Sequence, residues 1–511
     1  MNMEDRKIAR TKNTVRNIMF GSINRMINII VPFVARTVIL YVMGTQYLGL
    51  SSLFSSILSF LSLTELGVGA AMVFSMYKPI AKNDEETICA LLNLYRKCYT
   101  VIGTVILVVG ICLLPFLKIL VPEQLPSDIN LHLLYLIYLF NAVLSYWLFA
   151  YKNAVLQAFQ RNDINSRISS VIIPLSYVIM LGALFLTKNY YAYVIWQPVF
   201  TILTNVLRMK YVDKHFPQYQ PKGEVSREIK QSIIKKTAAL VGTKLNTVVL
   251  NAADNIVMSA FLGLTVVTMY GNYYYIMSSV IGFLSIIYSS MTAGLGNSIA
   301  TETVDKNYRD FQKFSYMNAW LVGWCSICLI CLYQPFMQIW VGEDLMFSIA
   351  IVLQFSVYFY IYQLRKIPVV YKDAAGIWWE DRFRPYVCMI VNLISNVILV
   401  QCIGVSGILL STILSLVISI PWENYTIFKY VFRRSSKEYY KKMFYYFGVT
   451  LLAGSVTWGL CSFWGNGLWS LGIRLIICIV VPNVIFIFAT RRSWECKEAI
   501  KMIGHIMHIK L

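Results

Sequence analysis

Tyr151-Lys152-Asn153-Ala154 opens the segment YKNAVLQAFQRND, and Tyr371-Lys372-Asp373-Ala374 opens YKDAAGIWWEDRFRP. Each follows one long apolar run and precedes another, so each reads as a basic loop joining two membrane helices. The two segments lie 220 residues apart. In nearly the same register Arg25 falls on Lys244, Arg36 on Asn255 and Gly44 on Gly263. Two points in one register predict a duplicated unit. In a membrane chain, a duplication of this size predicts a transporter of two related bundles facing each other across a cavity.

The composition agrees. Of 511 residues, 58% are hydrophobic, and the mean hydropathy is +0.60. The excess is gathered in runs long enough to cross a bilayer, which takes about 20 helical residues. Helices are predicted at about 15–43, 47–76, 98–120, 131–155, 166–187, 190–212, 233–262, 266–299, 314–341, 346–371, 383–404, 406–430, 442–465 and 468–490. The expected fold is therefore an all-α membrane protein of fourteen transmembrane helices. Two six-helix bundles, related by a pseudo-twofold along the membrane normal, carry two further C-terminal helices. The expected boundaries are 1–212 for the first bundle, 213–232 for a linker, and 233–430 for the second bundle. A loop at 431–441, the appended helices at 442–490 and a tail at 491–511 follow. His215-Phe216-Pro217 and Pro221-Lys222-Gly223 break the linker. A polar, basic start runs straight into a full-length helix, which is not the pattern of a cleaved signal peptide.

The net charge of +20 reports orientation rather than a nucleic-acid partner. Lys and Arg gather in the N-terminus, the even-numbered connections and the C-terminal tail, while the odd connections hold Lys118 and Lys188. The positive-inside rule then places both termini in the cytoplasm of a multi-pass cell-membrane protein. The stretch from Arg6 to Arg16 reads as an amphipathic helix on anionic lipid.

Charges within the predicted helices mark candidate sites, because a charge at mid-bilayer costs about 2.5–3.5 kcal/mol on insertion scales. They are Arg25, Arg36, Glu65, Lys244, Asp254, Glu423 and Arg474. The rise per residue puts Arg25 level with Glu65, and Arg36 level with Asp254. Both pairs are open to a structural ion-pair reading. Repeat symmetry instead sets Arg25 opposite Lys244, giving a cationic half-cavity that attracts a phosphate or pyrophosphate. Arg25, Arg36, Lys244, Glu65, Asp254, Asn255 and Tyr274 are the candidate substrate-binding residues. Tyr274 belongs to the run Tyr270, Tyr273, Tyr274, Tyr275, whose rings suit a hydroxylated ligand and equally suit a membrane-interface belt. Glu423 and Arg474 read as surface and snorkelling groups.

No catalytic constellation emerges. His132, His215, His505 and His508 lie in loops or tails, and no Gly-rich phosphate loop occurs. Cys325, Cys328 and Cys331 share a helical spacing and read as small packing residues, without a metal site, a disulfide framework or a cofactor.

TQYLGL and ELGVGAAMVF flanking the second predicted helix, with YKNAVLQAFQRND and YKDAAGIWWEDRFRP, resemble the polysaccharide-repeat flippases of capsule and O-antigen export. These are grouped with the MATE exporters and the lipid II flippase. The resemblance implies alternating access by two bundles. It also implies a cationic lumen for a polyprenyl-pyrophosphate oligosaccharide and a groove beside the last two helices for the polyprenyl tail. The expected function is movement of that lipid from the inner to the outer leaflet by a monomer in contact with membrane lipid, with Na⁺ or H⁺ as candidate coupling ions. The alternative is an ion-coupled exporter of organic cations, which favours acidic intramembrane groups. A sugar polymerase or ligase is disfavoured by the short outer connections.

Overall fold

The computed structural model describes the backbone of residues 3–506 except 66, 123–124 and 466. Side chains are described for these except 3–18, 64, 293, 503–506 and part of 235–251. Among the described residues every regular element is helical, and the chain divides into two compact units, Met1–Thr268 and Met269–Leu511.

The first unit holds α1 (Met3–Val42), α2 (Thr45–Leu61), α3 (Val68–Lys82), α4 (Glu85–Cys112) and the single turn α5 (Leu117–Leu120). It continues with α6 (Leu131–Trp147), α7 (Asn153–Ala158), α8 (Asn162–Thr187), α9 (Tyr190–Val194), α10 (Trp196–His215) and α11 (Arg227–Leu262). Helix α12 (Leu264–Thr301) begins in this unit and runs into the second. The second unit then holds α13 (Val304–Val341), α14 (Ile349–Leu364), α15 (Lys366–Ala375), α16 (Arg384–Ile403), α17 (Val405–Ile427), α18 (Lys437–Ser462), α19 (Leu468–Thr490) and α20 (Trp494–Ile506).

All fourteen predicted segments are helical, yet only nine helices among the described residues are long and apolar enough to span a bilayer. The number is ten if the pair bent by 47° at Leu148–Phe149 counts as one span. Part of the difference has a local cause. The second predicted helix is interrupted by the 3-10 turn Ser62–Glu65, the fourth by Phe149 at φ 55°, and the tenth at Arg365. The compact units also divide later than the expected boundary at 233, because α11 packs against α2 and α3.

Gly44 and Gly263 have φ of 102° and 85°, a region that favours glycine. The residues after these glycines meet directly: Thr45 and Thr265 hydroxyls lie 3.3 Å apart, and the Thr268 hydroxyl donates to Thr45 O at 2.6 Å. A Cβ on Gly49 would stand 2.4 Å from Leu264 O, so close backbone approach depends on that glycine.

The two repeat motifs are not loops. YKNA forms the 3-10 turn Ala150–Lys152 and the start of α7, and YKDA lies in the last turns of α15. Both tyrosines and both lysines are buried. Lys152 pairs with Asp213 and donates to Gln220 at 3.1 Å. Lys372 pairs with Asp381 at 2.7 Å. A buried ammonium needs such a partner, so the break after α6 turns Lys152 inward to meet one.

Candidate substrate cavity

Within the first unit, helices α2, α3, α4, α6, α7, α8, α9 and α10 line a cavity of about 830 Å³. Its wall is built largely from phenols, amides and hydroxyls. Glu65, in the 3-10 turn, is held by tyrosines. Its Oε1 accepts from Tyr99 at 2.7 Å and its Oε2 from Tyr146 at 3.1 Å, while Tyr95 donates to Tyr99 at 2.5 Å. The Tyr95–Tyr99 spacing of four places both phenols on one face of α4. Gly69 makes room for them: a Cβ there would lie 2.8 Å from Tyr95 Oη and 3.3 Å from Glu65 Oε1.

A second polar wall comes from α10. Gln197, Thr201, Thr204, Asn205 and Arg208 recur at helical spacing and all line the cavity. Thr201 donates to Asn141 Oδ1 at 2.7 Å across the cavity wall. Arg208 donates from Nη2 to Ser169 Oγ at 3.1 Å. Its Nε is buried without a hydrogen-bond partner, as is Oδ1 of Asn153, another lining residue. Among the described residues Arg208 forms no ion pair with a carboxylate. Leaving buried polar groups unmet costs about 1–3 kcal/mol each, more for a charge. A ligand acceptor would recover that cost.

The predicted site residues are dispersed by comparison. Glu65 lines the cavity. Arg25 is exposed on α1 and makes no described ion pair, so the structure does not bring it to Glu65. Arg36 is half-buried and donates to Thr268 O at 3.1 Å. Asp254 is buried on α11, and Asn255 donates to Ser56 Oγ at 2.9 Å. Lys244 lies on α11, and its side chain is outside the described residues. Tyr274, in the second unit, stacks on Tyr270 with centroids 6.0 Å apart. Tyr273 is wholly buried, donating to Gln334 Oε1 at 2.9 Å, and is a packing residue. Sequence reasoning missed Arg208 because it sits near Lys210 and His215 and reads as a basic helix end. The polar stripe beneath it was the available signal.

In the second unit Glu423 is buried, not a surface group. It pairs with Arg365 at 2.8 Å and Arg384 at 3.0 Å. Arg384 continues to Asp381 at 2.7 Å, which joins Lys372. Asp381 lies in the turn between α15 and α16, outside the spanning segments. Burial raises its pKa, but hydrogen bonds and charge from Arg384 and Lys372 outweigh it and hold the carboxyl below its usual value of 3.8. Close to this network, α13, α14, α17 and α18 border an almost wholly apolar groove of about 370 Å³, with Arg365, Asn424 and Tyr440 among its lining.

The fold has known counterparts. The lipid II flippase MurJ, in an inward closed conformation, matches with a TM-score of 0.65 over 93% of this chain and 99% of that one, at 16% identity. An inward-facing MATE multidrug resistance transporter of the MOP superfamily gives 0.61 over 80% and 98%, at 14% identity. A MATE protein in the bent conformation gives 0.53 over 81% and 95%, at 15% identity. The chain is thus an all-helical, multi-pass membrane protein with a fold of transporters and flippases rather than of an enzyme. The polysaccharide biosynthesis protein family matches residues 14–293, and the chain belongs to it. No curated protein matches it in sequence.

Proposed function

We propose that the protein moves a polyprenyl-pyrophosphate-linked oligosaccharide from the inner to the outer leaflet of the cell membrane by alternating access. The cavity of the first unit carries this reading. Its 830 Å³ falls within the range of about 300–1,000 Å³ usual for ligand pockets. Phenol rings stack on sugar faces, and the amides of Asn141, Gln157, Gln197 and Asn205 hydrogen-bond hydroxyls. Arg208 supplies a cation for an anionic group. The family and the fold support the same class of lipid-linked substrate.

Arg25 and Lys244 are the proposed pyrophosphate contacts, with Arg36, Asp254 and Asn255 supporting them in the first unit. The apolar groove along α14, α17 and α18 suits the polyprenyl tail, whose buried CH₂ groups each contribute about 0.8 kcal/mol. In this proposal both termini are cytoplasmic, as the positive-inside rule favours. The second reading, a cation exporter coupled to Na⁺ or H⁺, rests on Glu65, a carboxylate lining the same cavity. Reconstitution separates the two. Proteoliposomes should translocate a labelled lipid-linked oligosaccharide and leave organic cations in place. Lys244→Glu should transport less than Lys244→Ala, because it sets a like charge against the pyrophosphate. Cation efflux without lipid translocation would overturn the flippase reading.

A further inference from the structure

The second unit gathers four sulfurs. Cys331 on α13, Cys461 on α18 and Cys478 on α19 place their Sγ atoms within 4.8 Å of one another. All three side chains are buried, with Cys478 wholly so. Cys328, one turn earlier on α13, points its thiol at Cys478 O, 3.9 Å away, beside this cluster. Ile327, Leu332, Ala453, Ile477 and Ile485 pack around them.

We propose that this cluster is a soft-metal site, holding zinc(II) or copper(I) between α13 and the two C-terminal helices. Cys331, Cys461 and Cys478 are the common ligands, and Cys328 is the fourth when the ion is zinc. Thiolates select these two ions over harder ones. Four-coordinate zinc with Zn–S bonds of about 2.3 Å sets its sulfurs about 3.8 Å apart. The observed spacing therefore closes onto an ion by roughly 1 Å, within reach of rotamer adjustment. Each ligand gives up its thiol proton to solvent on loading, before the helices seal the site.

A bound centre carries negative charge: four thiolates around zinc(II), or three around copper(I), leave two units uncompensated. Arg474 answers that charge. It stands one turn before Cys478 on α19. Its Nη2 donates to Trp464 O and Gly465 O. Its Nε is buried with no hydrogen-bond partner. A thiolate sulfur bound to a metal accepts a hydrogen bond from that N–H. Packing explains buried cysteines one at a time; it does not call for four sulfurs from three helices beside an unmet guanidinium N–H. The site would staple α18 and α19 to α13.

The test uses the full-length, tag-free protein, purified in mild detergent without chelator and analysed for zinc and copper by mass spectrometry. About one ion per chain is expected. Cys478→Ser and Cys461→Ala should each lower metal content about tenfold or more. Cys402→Ser, outside the cluster, should keep it. X-ray absorption at the metal edge should count four sulfurs for zinc or three for copper. Should Cys478→Ser not fold, Cys461→Ala decides the matter. A monodisperse parent with metal near background overturns the proposal. So does a thiol count showing a disulfide within the cluster, or metal unchanged in both cluster variants.

Discussion

Arg208 sets what the first unit can bind. A half-buried arginine whose buried Nε is unmet, beside phenols and amides, favours a ligand that is hydroxylated and carries an anionic group. A hydrogen bond to a charged group contributes about 1.5–3 kcal/mol. Arg208→Ala should therefore raise the apparent KM for lipid-linked oligosaccharide by roughly ten- to a hundredfold. Arg208→Lys should recover part of this, since charge survives while the planar fork is lost. The assay is the concentration dependence of flipping at matched folded protein, and an unchanged KM in Arg208→Ala would remove Arg208 from the site. Glu65 was legible as a cavity group from its depth alone. Its partners were not: they are tyrosines on α4 and α6, 34 and 81 residues away in sequence. An arginine was the natural expectation for a carboxylate in a membrane, yet three linked phenols serve instead.

At the scale of elements, the repeat motifs show how ion pairs pin short helices. Breaking a buried pair by removing one partner costs about 3–5 kcal/mol. Glu423→Ala would leave Arg365 and Arg384 facing each other, so a loss of about that size is expected, read as a lower Tm in detergent. Lys152→Ala should cost less, because Asp213 is 39% exposed and can take water. Equal losses in the two variants would contradict this ordering.

Asp381 adds a pH dependence. Its folded pKa is depressed, so its stabilisation is complete above the usual value of 3.8 and is lost as pH falls through the lower folded value. Tm should therefore drop on acidification through that window, and Asp381→Asn should flatten the drop while lowering Tm at neutral pH. A parent and a variant with the same acid slope would exclude this role. The motifs were found from the sequence, but their form was misread. Basic residues between apolar runs resemble a loop, and nothing local reveals that Lys152 and Lys372 turn inward to carboxylates. Glu423 was read as surface for the same reason, since Arg384 lies 39 residues before it. The glycine turns were legible because their backbone conformation depends on the residue itself.

For the molecule as a whole, the apolar runs predicted an all-helical membrane fold of the flippase and MATE kind, and the fold and family agree. Helix interruptions at Ser62–Glu65, Phe149 and Arg365 were hidden, because hydropathy continues smoothly across them. The cavity was hidden too, since it is assembled from eight helices of one unit. The central claim is that this unit receives the sugar of a lipid-linked substrate. It is tested most directly by reconstituting the parent and Arg208→Ala in proteoliposomes and following a labelled polyprenyl-pyrophosphate oligosaccharide from one leaflet to the other. The account predicts translocation by the parent, competition by excess free oligosaccharide of the same sequence, and a defect in Arg208→Ala at limiting substrate. Translocation that ignores the sugar, with bare polyprenyl pyrophosphate moving equally well in parent and variant, would contradict it.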